Sequence, residues 1–316
     1  MDGKHLKGRS LLTWLDYEAD DIRFLLELSK TVKAESRRGE IKQRFTGKTL
    51  ALLFEKRSTR TRCSFETAFG EEGGYPVFLS NQDIHLGGAK ESIEDTARVL
   101  GRMFSAIEFR GYKQSTAEAL AQYSGVPVIN GLTDDYHPTQ VLADIMTLEE
   151  CFGSSKGKKL CFVGDGRNNV ARSLLIICSK LGVNFTIVTP AALNPEWALI
   201  EKCTPLSVAS GAKIKVTDNP DEVEGADALY TDVWVSMGEE DKREERLGLL
   251  RPFQVNQALM NKTGKKETVF LHCLPAVKGE EVTADVIDGP QSRAWDEAEN
   301  RKHTIKAILL AALGCI

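Results

Sequence analysis

The sequence has no apolar run of the roughly 20 residues needed to cross a bilayer, which argues against a membrane-spanning helix. Its first ten residues are polar and basic. The Leu11, Leu12, Trp14, Leu15 cluster behind them is too short for a secretory signal, and nothing marks a transit peptide. No Cys-x-x-Cys occurs. The seven cysteines, Cys63, Cys151, Cys161, Cys178, Cys203, Cys273 and Cys315, are odd in number and irregularly spaced. That argues against a disulfide framework or a zinc site, and for reduced thiols in a cytoplasm. Histidine is scarce, with five residues that lack ligand spacing, so no metal is expected. Neither sign of charge dominates. The net charge is −4, and no basic stretch marks a nucleic-acid surface or a membrane patch.

What is there is a globular pattern. A chain of 316 residues is long for one core, so two domains are expected. Apolar spacing predicts a helix over 17–34, a buried strand over 50–54, a helix starting behind it, and a strand over 75–79. A helix over 92–104, a strand over 106–109, a helix over 115–123 and a strand over 126–129 follow. After a helix that starts at Pro138, the Gly153–Lys159 segment reads as a linker. Its resemblance to a Walker loop fails, because the spacing is short, no hydroxyl follows the lysine, and it precedes its strand. Strands over 160–163, 185–188, 213–216, 228–231 and 268–271 then alternate with helices, and a last helix spans about 295–312. Strand–helix alternation implies an α/β fold with two domains, each a parallel sheet flanked by helices. Domain boundaries are expected at 1–150 and 151–294. Ligands in such sheets bind beyond the carboxyl ends of the strands.

One such end is Phe54-Glu55-Lys56-Arg57-Ser58-Thr59-Arg60-Thr61-Arg62. Phe65, Ala68 and Phe69 set a helix stripe, so Ser58, Thr59 and Thr61 sit where backbone N–H groups and the positive dipole end are free. Hydroxyls and guanidiniums there make an anion site, most naturally for phosphate. Arg62 follows the apolar stripe and is expected to make structural pairs, which leaves Arg60 as the better ligand. The alternative reading is an ordinary capped helix start. Arg110 lies at another strand end and could face the same crevice. His137 and Gln140 share a face at the start of the helix at Pro138, although His137 could equally be a plain cap.

Gly164-Asp165-Gly166-Arg167-Asn168-Asn169, between a strand and a helix, begins like a dinucleotide turn. The third glycine slot holds Asn169, however, and the next strand ends at Val188-Thr189-Pro190 with no carboxylate for a ribose. A nucleotide-dependent oxidoreductase is a poor fit. A small polar ligand is not.

Ser58-Thr59-Arg60-Thr61-Arg62 followed by Ser64-Phe65-Glu66 resembles the carbamoyl-phosphate loop of the aspartate/ornithine carbamoyltransferase family. His137-Pro138-Thr139-Gln140 is similar to its second motif. Asp232-Val233-Trp234-Val235-Ser236-Met237-Gly238 and His272-Cys273-Leu274-Pro275 resemble the ornithine branch, with Glu299-Asn300-Arg301 near the end. The similarity covers nearly the entire chain in order. It implies a reaction of carbamoyl phosphate with L-ornithine, giving L-citrulline and phosphate, in arginine metabolism, with no cofactor. It leaves open whether the reaction serves biosynthesis or breakdown. Ser58, Thr59, Arg60 and Thr61 would hold the phosphate, and Arg110 would bridge it to the carbonyl oxygen. His137 and Gln140 would contact the carbamoyl end. Asn169, Asp232, Ser236 and Met237 would hold ornithine, with Cys273, Leu274 and Arg301 completing the pocket. Cys273 would accept or relay a proton. A residue of the loop around His85 would reach a neighbouring subunit's site, implying a homotrimer or a multiple of trimers. The last helix, 295–316, would pack back on the first domain. The His85 loop departs from the pattern, because Gly87-Gly88-Ala89-Lys90 is a residue longer than in many relatives. Competing readings are a carbamoyltransferase for putrescine or an acetylated ornithine, and a silent regulatory homologue, which would need a broken Ser58–Arg62 loop.

Overall fold

The computed structural model describes residues 3–80, 84, 86, 91–235 and 240–316. It divides into two compact units, Met1–Ala143 with Glu299–Ile316, and Asp144–Ala298. Each is α/β and built on one parallel sheet, as the alternation predicts. None of the described helices is long and apolar enough to cross a membrane.

Unit 1 contains strands β1 (Thr49–Phe54), β2 (Tyr75–Ser80), β3 (Ala106–Arg110) and β4 (Val128–Leu132). Its helices are α1 (Ala19–Arg37), α2 (Arg60–Gly70), α3 (Ile93–Met103) and α4 (Gln114–Ser124). Helix α5 (Pro138–Phe152) runs across the divide. The sheet order is β2-β1-β3-β4, with Phe54 paired to Arg110 where β1 and β3 end. Leu50, Ala51, Leu52 and Leu53 are all fully buried, so β1 has no solvent face, as a covered central parallel strand requires. The chain starts at β1, moves outward to β2, then returns to β3 on the other side. The carboxyl ends of β1 and β3 are therefore the switch point at which open α/β sheets bind ligands.

The strand expected over 126–129 starts two residues later. Gly125 ends α4 with φ of 73°, and Pro127 has no N–H to give to the ladder, so the strand starts at Val128. Asn130 stays extended because Leu11 lies beside it, and the Asn130 N–H reaches the Leu11 carbonyl at 2.8 Å.

Unit 2 contains β5 (Lys159–Val163), β6 (Asn184–Val188), β7 (Ile214–Thr217), β8 (Ala228–Thr231) and β9 (Val269–His272). Its helices are α6 (Asn169–Leu181), α7 (Trp197–Ser210), α8 (Arg243–Leu250), α9 (Gln257–Lys262) and the short α10 (Ala284–Ile287), which sequence periodicity did not disclose. Helix α11 (Ala294–Leu313) crosses the divide. The sheet order is β7-β6-β5-β8-β9, so the switch point lies between β5 and β8. All seven cysteines are free, and Cys161, Cys178 and Cys203 are buried core residues.

Trp14 fixes where α5 begins. It is 1% exposed, and its indole N–H donates to the Pro138 carbonyl at 2.9 Å, next to His137. Trp14→Phe removes that bond while the Pro138 carbonyl keeps its helical partner, at a cost of about 0.5–1.5 kcal/mol. Urea unfolding should show the midpoint falling with the slope unchanged. An unmoved midpoint would remove the tether from this account.

Candidate functional site

In unit 1 the loop after β1 enters α2 through Thr59, but the capping bond is made one residue earlier. Ser58 Oγ accepts from the Thr61 N–H at 3.1 Å, so one of the free amides of the helix start is used internally. Arg62 behaves as its place on the apolar stripe predicts. Its Nε donates to Glu66 at 3.0 Å, and its guanidinium lies 3.7 Å from the Phe78 ring centre.

Thr61 is the hub. Its Oγ1 accepts from Arg110 Nη1 at 3.2 Å and from Arg301 Nη2 at 3.2 Å. A hydroxyl has two lone pairs and one proton, so with both lone pairs taken its proton is left to donate outward. Arg301, 2% exposed, also donates to Gln140 Oε1 at 2.5 Å and to Thr139 Oγ1 at 3.3 Å. Thr61, Arg110, Gln140 and Arg301 thus form one hydrogen-bonded group, drawn from α2, β3, α5 and α11. His137 joins it electrostatically. Burial, then Arg301, Arg110 and Arg60, hold its imidazole well below the usual histidine range. His137 is therefore neutral near pH 7 and can offer a hydrogen bond without carrying charge. The set suits an oxyanion or a phosphoryl group.

Sequence reasoning missed Glu108. It lies two residues before Arg110 on β3, hence on the same face, and that spacing was the available signal.

In unit 2 the groups converge where β5, β8 and β9 end. Asn168 caps α6, its Oδ1 accepting from the Val170 N–H at 2.7 Å, while its Nδ2 donates to Asp232 Oδ2 at 2.9 Å. Asp232 Oδ1 accepts from the Val233 N–H at 2.8 Å and from the Cys273 thiol at 2.9 Å. Asn168, which bonds Asp232 from this turn, was absent from the expected site residues. Asp165 accepts from buried Arg246 at 2.5 Å, which ties the turn to α8. The Gly166 N–H, which would face a pyrophosphate in a dinucleotide turn, donates instead to Thr189 Oγ1 at 3.1 Å. A Cβ at Gly166 would stand 2.8 Å from the Leu193 carbonyl, so only glycine fits there.

Asp232, His272 and Cys273 bring one ligand-type atom each within 4.8 Å of one another, a grouping that the histidine spacing did not disclose. Both nitrogens of His272 are already used. Nδ1 accepts from the Leu274 N–H at 2.8 Å, and Nε2 donates to buried Glu281 at 3.2 Å. A cation would have to displace one of these bonds, so the trio is better read as a hydrogen-bonded support. Leu274 needs such support, because its φ of 59° is left-handed and costs a non-glycine residue about 1–3 kcal/mol. Burial, then Asp232, push the Cys273 thiol well above its usual range, so it stays protonated and donates. Glu297 accepts from Tyr230 at 3.1 Å and from the His272 N–H at 3.0 Å, which anchors the end of β9 from below. His85, Lys90, Ser236 and Met237 lie outside the described residues.

Residues 9–150 match the family model for the aspartate/ornithine carbamoyltransferase carbamoyl-P binding domain, and residues 156–312 match that for the Asp/Orn binding domain. An ornithine carbamoyltransferase of Caldanaerobacter subterraneus subsp. tengcongensis is 65% identical, with 98% of this chain and 99% of that protein covered. A relative from Bacillus licheniformis, described as catabolic, is 50% identical over 98% of both chains. The solved ornithine carbamoyltransferase of Pyrococcus furiosus superposes with a TM-score of 0.95 at 47% identity, covering 98% of this chain and 99% of that one. The chain belongs to the aspartate/ornithine carbamoyltransferase family.

Proposed function

We propose that the protein transfers the carbamoyl group of carbamoyl phosphate to the side-chain amine of L-ornithine, giving L-citrulline and phosphate, with each unit holding one substrate. The observation that carries this reading is the Thr61 hydroxyl gripped by Arg110 and Arg301 at the switch point of unit 1. Ser58, Thr59, Arg60 and Thr61 hold the phosphate group, Arg110 spans it and the carbonyl oxygen, and His137, Gln140 and Arg301 fix the carbamoyl end. In unit 2, Asp232 pairs with the α-ammonium of ornithine, with Asn169, Ser236 and Met237 around it and Cys273 and the Leu274 carbonyl closing the pocket. A diamine such as putrescine also carries an ammonium, so the Asp232 pair alone does not select ornithine, and the choice of amine rests on Ser236 and Met237.

Attack of the neutral amine turns the carbonyl oxygen into an oxyanion. The free Thr61 proton, Arg110 and the neutral His137 N–H are the donors for it, and such preorganised donors supply much of an acyl-transfer rate. Arg60 and the α2 N-terminus stabilise the departing phosphate. The amine resembles lysine, with a pKa of about 10.4, so near pH 7 its reactive form is scarce by roughly three powers of ten, or about 4–5 kcal/mol. Surroundings rich in guanidiniums favour the neutral amine. Cys273, held as a thiol on Asp232, relays a proton rather than accepting one outright. No step requires a covalent enzyme intermediate.

The reaction belongs to arginine metabolism, and we place it in the cytoplasm, a reading supported by seven free thiols. The assembly is a homotrimer or a multiple of it, with the loop around His85 reaching the neighbouring site. Light scattering should give three times 34.9 kDa or a multiple of that; a monomer would overturn the shared site.

Arg60→Ala and Arg110→Ala are each expected to lower kcat/KM for carbamoyl phosphate by at least about 100-fold while the circular dichroism spectrum stays unchanged. Retained activity in both variants would refute the placing of the phosphate. In an assay of carbamoyl phosphate with ornithine, putrescine and N-acetylornithine, ornithine should be preferred. Its kcat/KM should rise about tenfold per pH unit between roughly pH 6 and 8, as the neutral amine grows. Preference for putrescine would sink the substrate, and a flat profile would sink the amine argument.

A further inference from the structure

Glu108 carries a fully buried carboxyl group whose two oxygens make no hydrogen bond among the described residues. A buried polar group left in that condition is costly, and the surrounding fold has been shaped to admit it. Strand β4 carries a bulge beside it. Phe109 pairs with Asn130 but Arg110 pairs with Leu132, so Gly131 is the extra residue. A Cβ on Gly131 would stand 1.9 Å from Glu108 Oε1 and 3.2 Å from the methyl of Thr61. The missing side chain is thus the space that the carboxyl occupies, directly behind the hydroxyl that holds Arg110 and Arg301.

Among the described residues, its neighbours on the adjoining strands and on α2 are uncharged. In the register, β1 offers Leu52 and β4 offers Ile129, while α2 offers the neutral Thr61. The charges that act on Glu108 are Arg110 from its own strand and Arg301 from α11. Beyond these, Arg60 and the neutral His137 complete the cluster on the far side of the arginines.

We propose that Glu108 is the proton-linked counter-charge of the arginine cluster: at a pH above its titration in the empty cluster it is ionised, and it takes up one proton when a phosphoryl anion binds. The inference rests on reading this cluster as the phosphoryl-anion site. An ionised Glu108 and a bound dianion compete for the same two guanidiniums. Arrival of the dianion removes the attraction that kept the buried carboxylate charged, and a proton from solvent converts it to the acid. Burial already holds this carboxyl well above the usual carboxylate range against the pull of Arg110 and Arg301. The sign follows. Anion affinity falls as pH rises through the titration of Glu108, and below it the carboxyl is neutral and binding takes up nothing there.

The test is calorimetry of inorganic phosphate binding to the full-length protein and to Glu108→Gln, each in buffers of different ionisation enthalpy. The ionisation of phosphate itself is common to both, so the difference belongs to Glu108. The wild type should take up more protons, by as much as one per site. At the alkaline end its affinity should drop about tenfold per pH unit more steeply than that of the variant. In steady state, Glu108→Gln should change the KM for carbamoyl phosphate at alkaline pH and leave kcat within a few-fold. Should the variant not fold, infrared difference spectra of the wild type with and without phosphate still decide, because binding must add the C=O stretch of a protonated carboxylic acid. Equal proton uptake in the two proteins, or no such band, overturns the inference alone. Failure of the wild type to bind phosphate overturns both this inference and the reading of the site.

Discussion

Everything in unit 1 depends on one hydroxyl accepting from two buried guanidiniums. Burying a cation costs several kcal/mol unless its surroundings repay it, and the bonds from Arg301 to Thr61, Thr139 and Gln140 all end on uncharged oxygens. Those bonds orient the guanidinium without cancelling its charge. The result is a rigid, positively charged surface in a place of low dielectric, where attraction to an anion is far stronger than in water. Thr61 can act as hub because it sits in the first turn of α2, and α2 begins there because β1 ends at Phe54. Arg110 meets it because β3 runs parallel beside β1 and stops in register with it.

The same logic of strand ends explains what could be read in advance. The buried run Leu50–Leu53, the helix stripe of Phe65, Ala68 and Phe69, and strand–helix alternation located the fold and the strand ends. The strand order that makes some of those ends switch points is visible only in the structure. Arg60, Thr61, Arg110, His137 and Gln140 were legible because each stands at the end of a strand or the start of a helix, where period and turn chemistry are informative. Arg62 was separated from Arg60 by phase alone, and its bond to Glu66 and stacking on Phe78 follow that phase.

What escaped were contacts made across large sequence separations. No local pattern says that Gly131 exists to admit the carboxyl of Glu108, or that Trp14 ties down Pro138. The start of β4 was misplaced because Val126 and Pro127 look apolar enough for a strand, whereas the missing proline N–H and the Leu11 segment decide where it forms. Asp232, His272 and Cys273 illustrate the reverse case. Their grouping resembles a ligand set, and only the bonds at both nitrogens of His272 reveal that the ring is structural.

The protonation states of the two units share one cause with opposite chemical effects. In unit 1, burial beside guanidiniums keeps His137 neutral, so it can donate to a developing oxyanion without repelling a neutral amine. In unit 2, burial beside Asp232 keeps Cys273 a thiol, so it cannot compete with an amine as the nucleophile. A positive cluster thus suppresses protonation of a base in one unit, and an acidic neighbour suppresses ionisation of a thiol in the other. Carbamoyl transfer needs that division, because its nucleophile must be uncharged while its leaving group carries two negative charges.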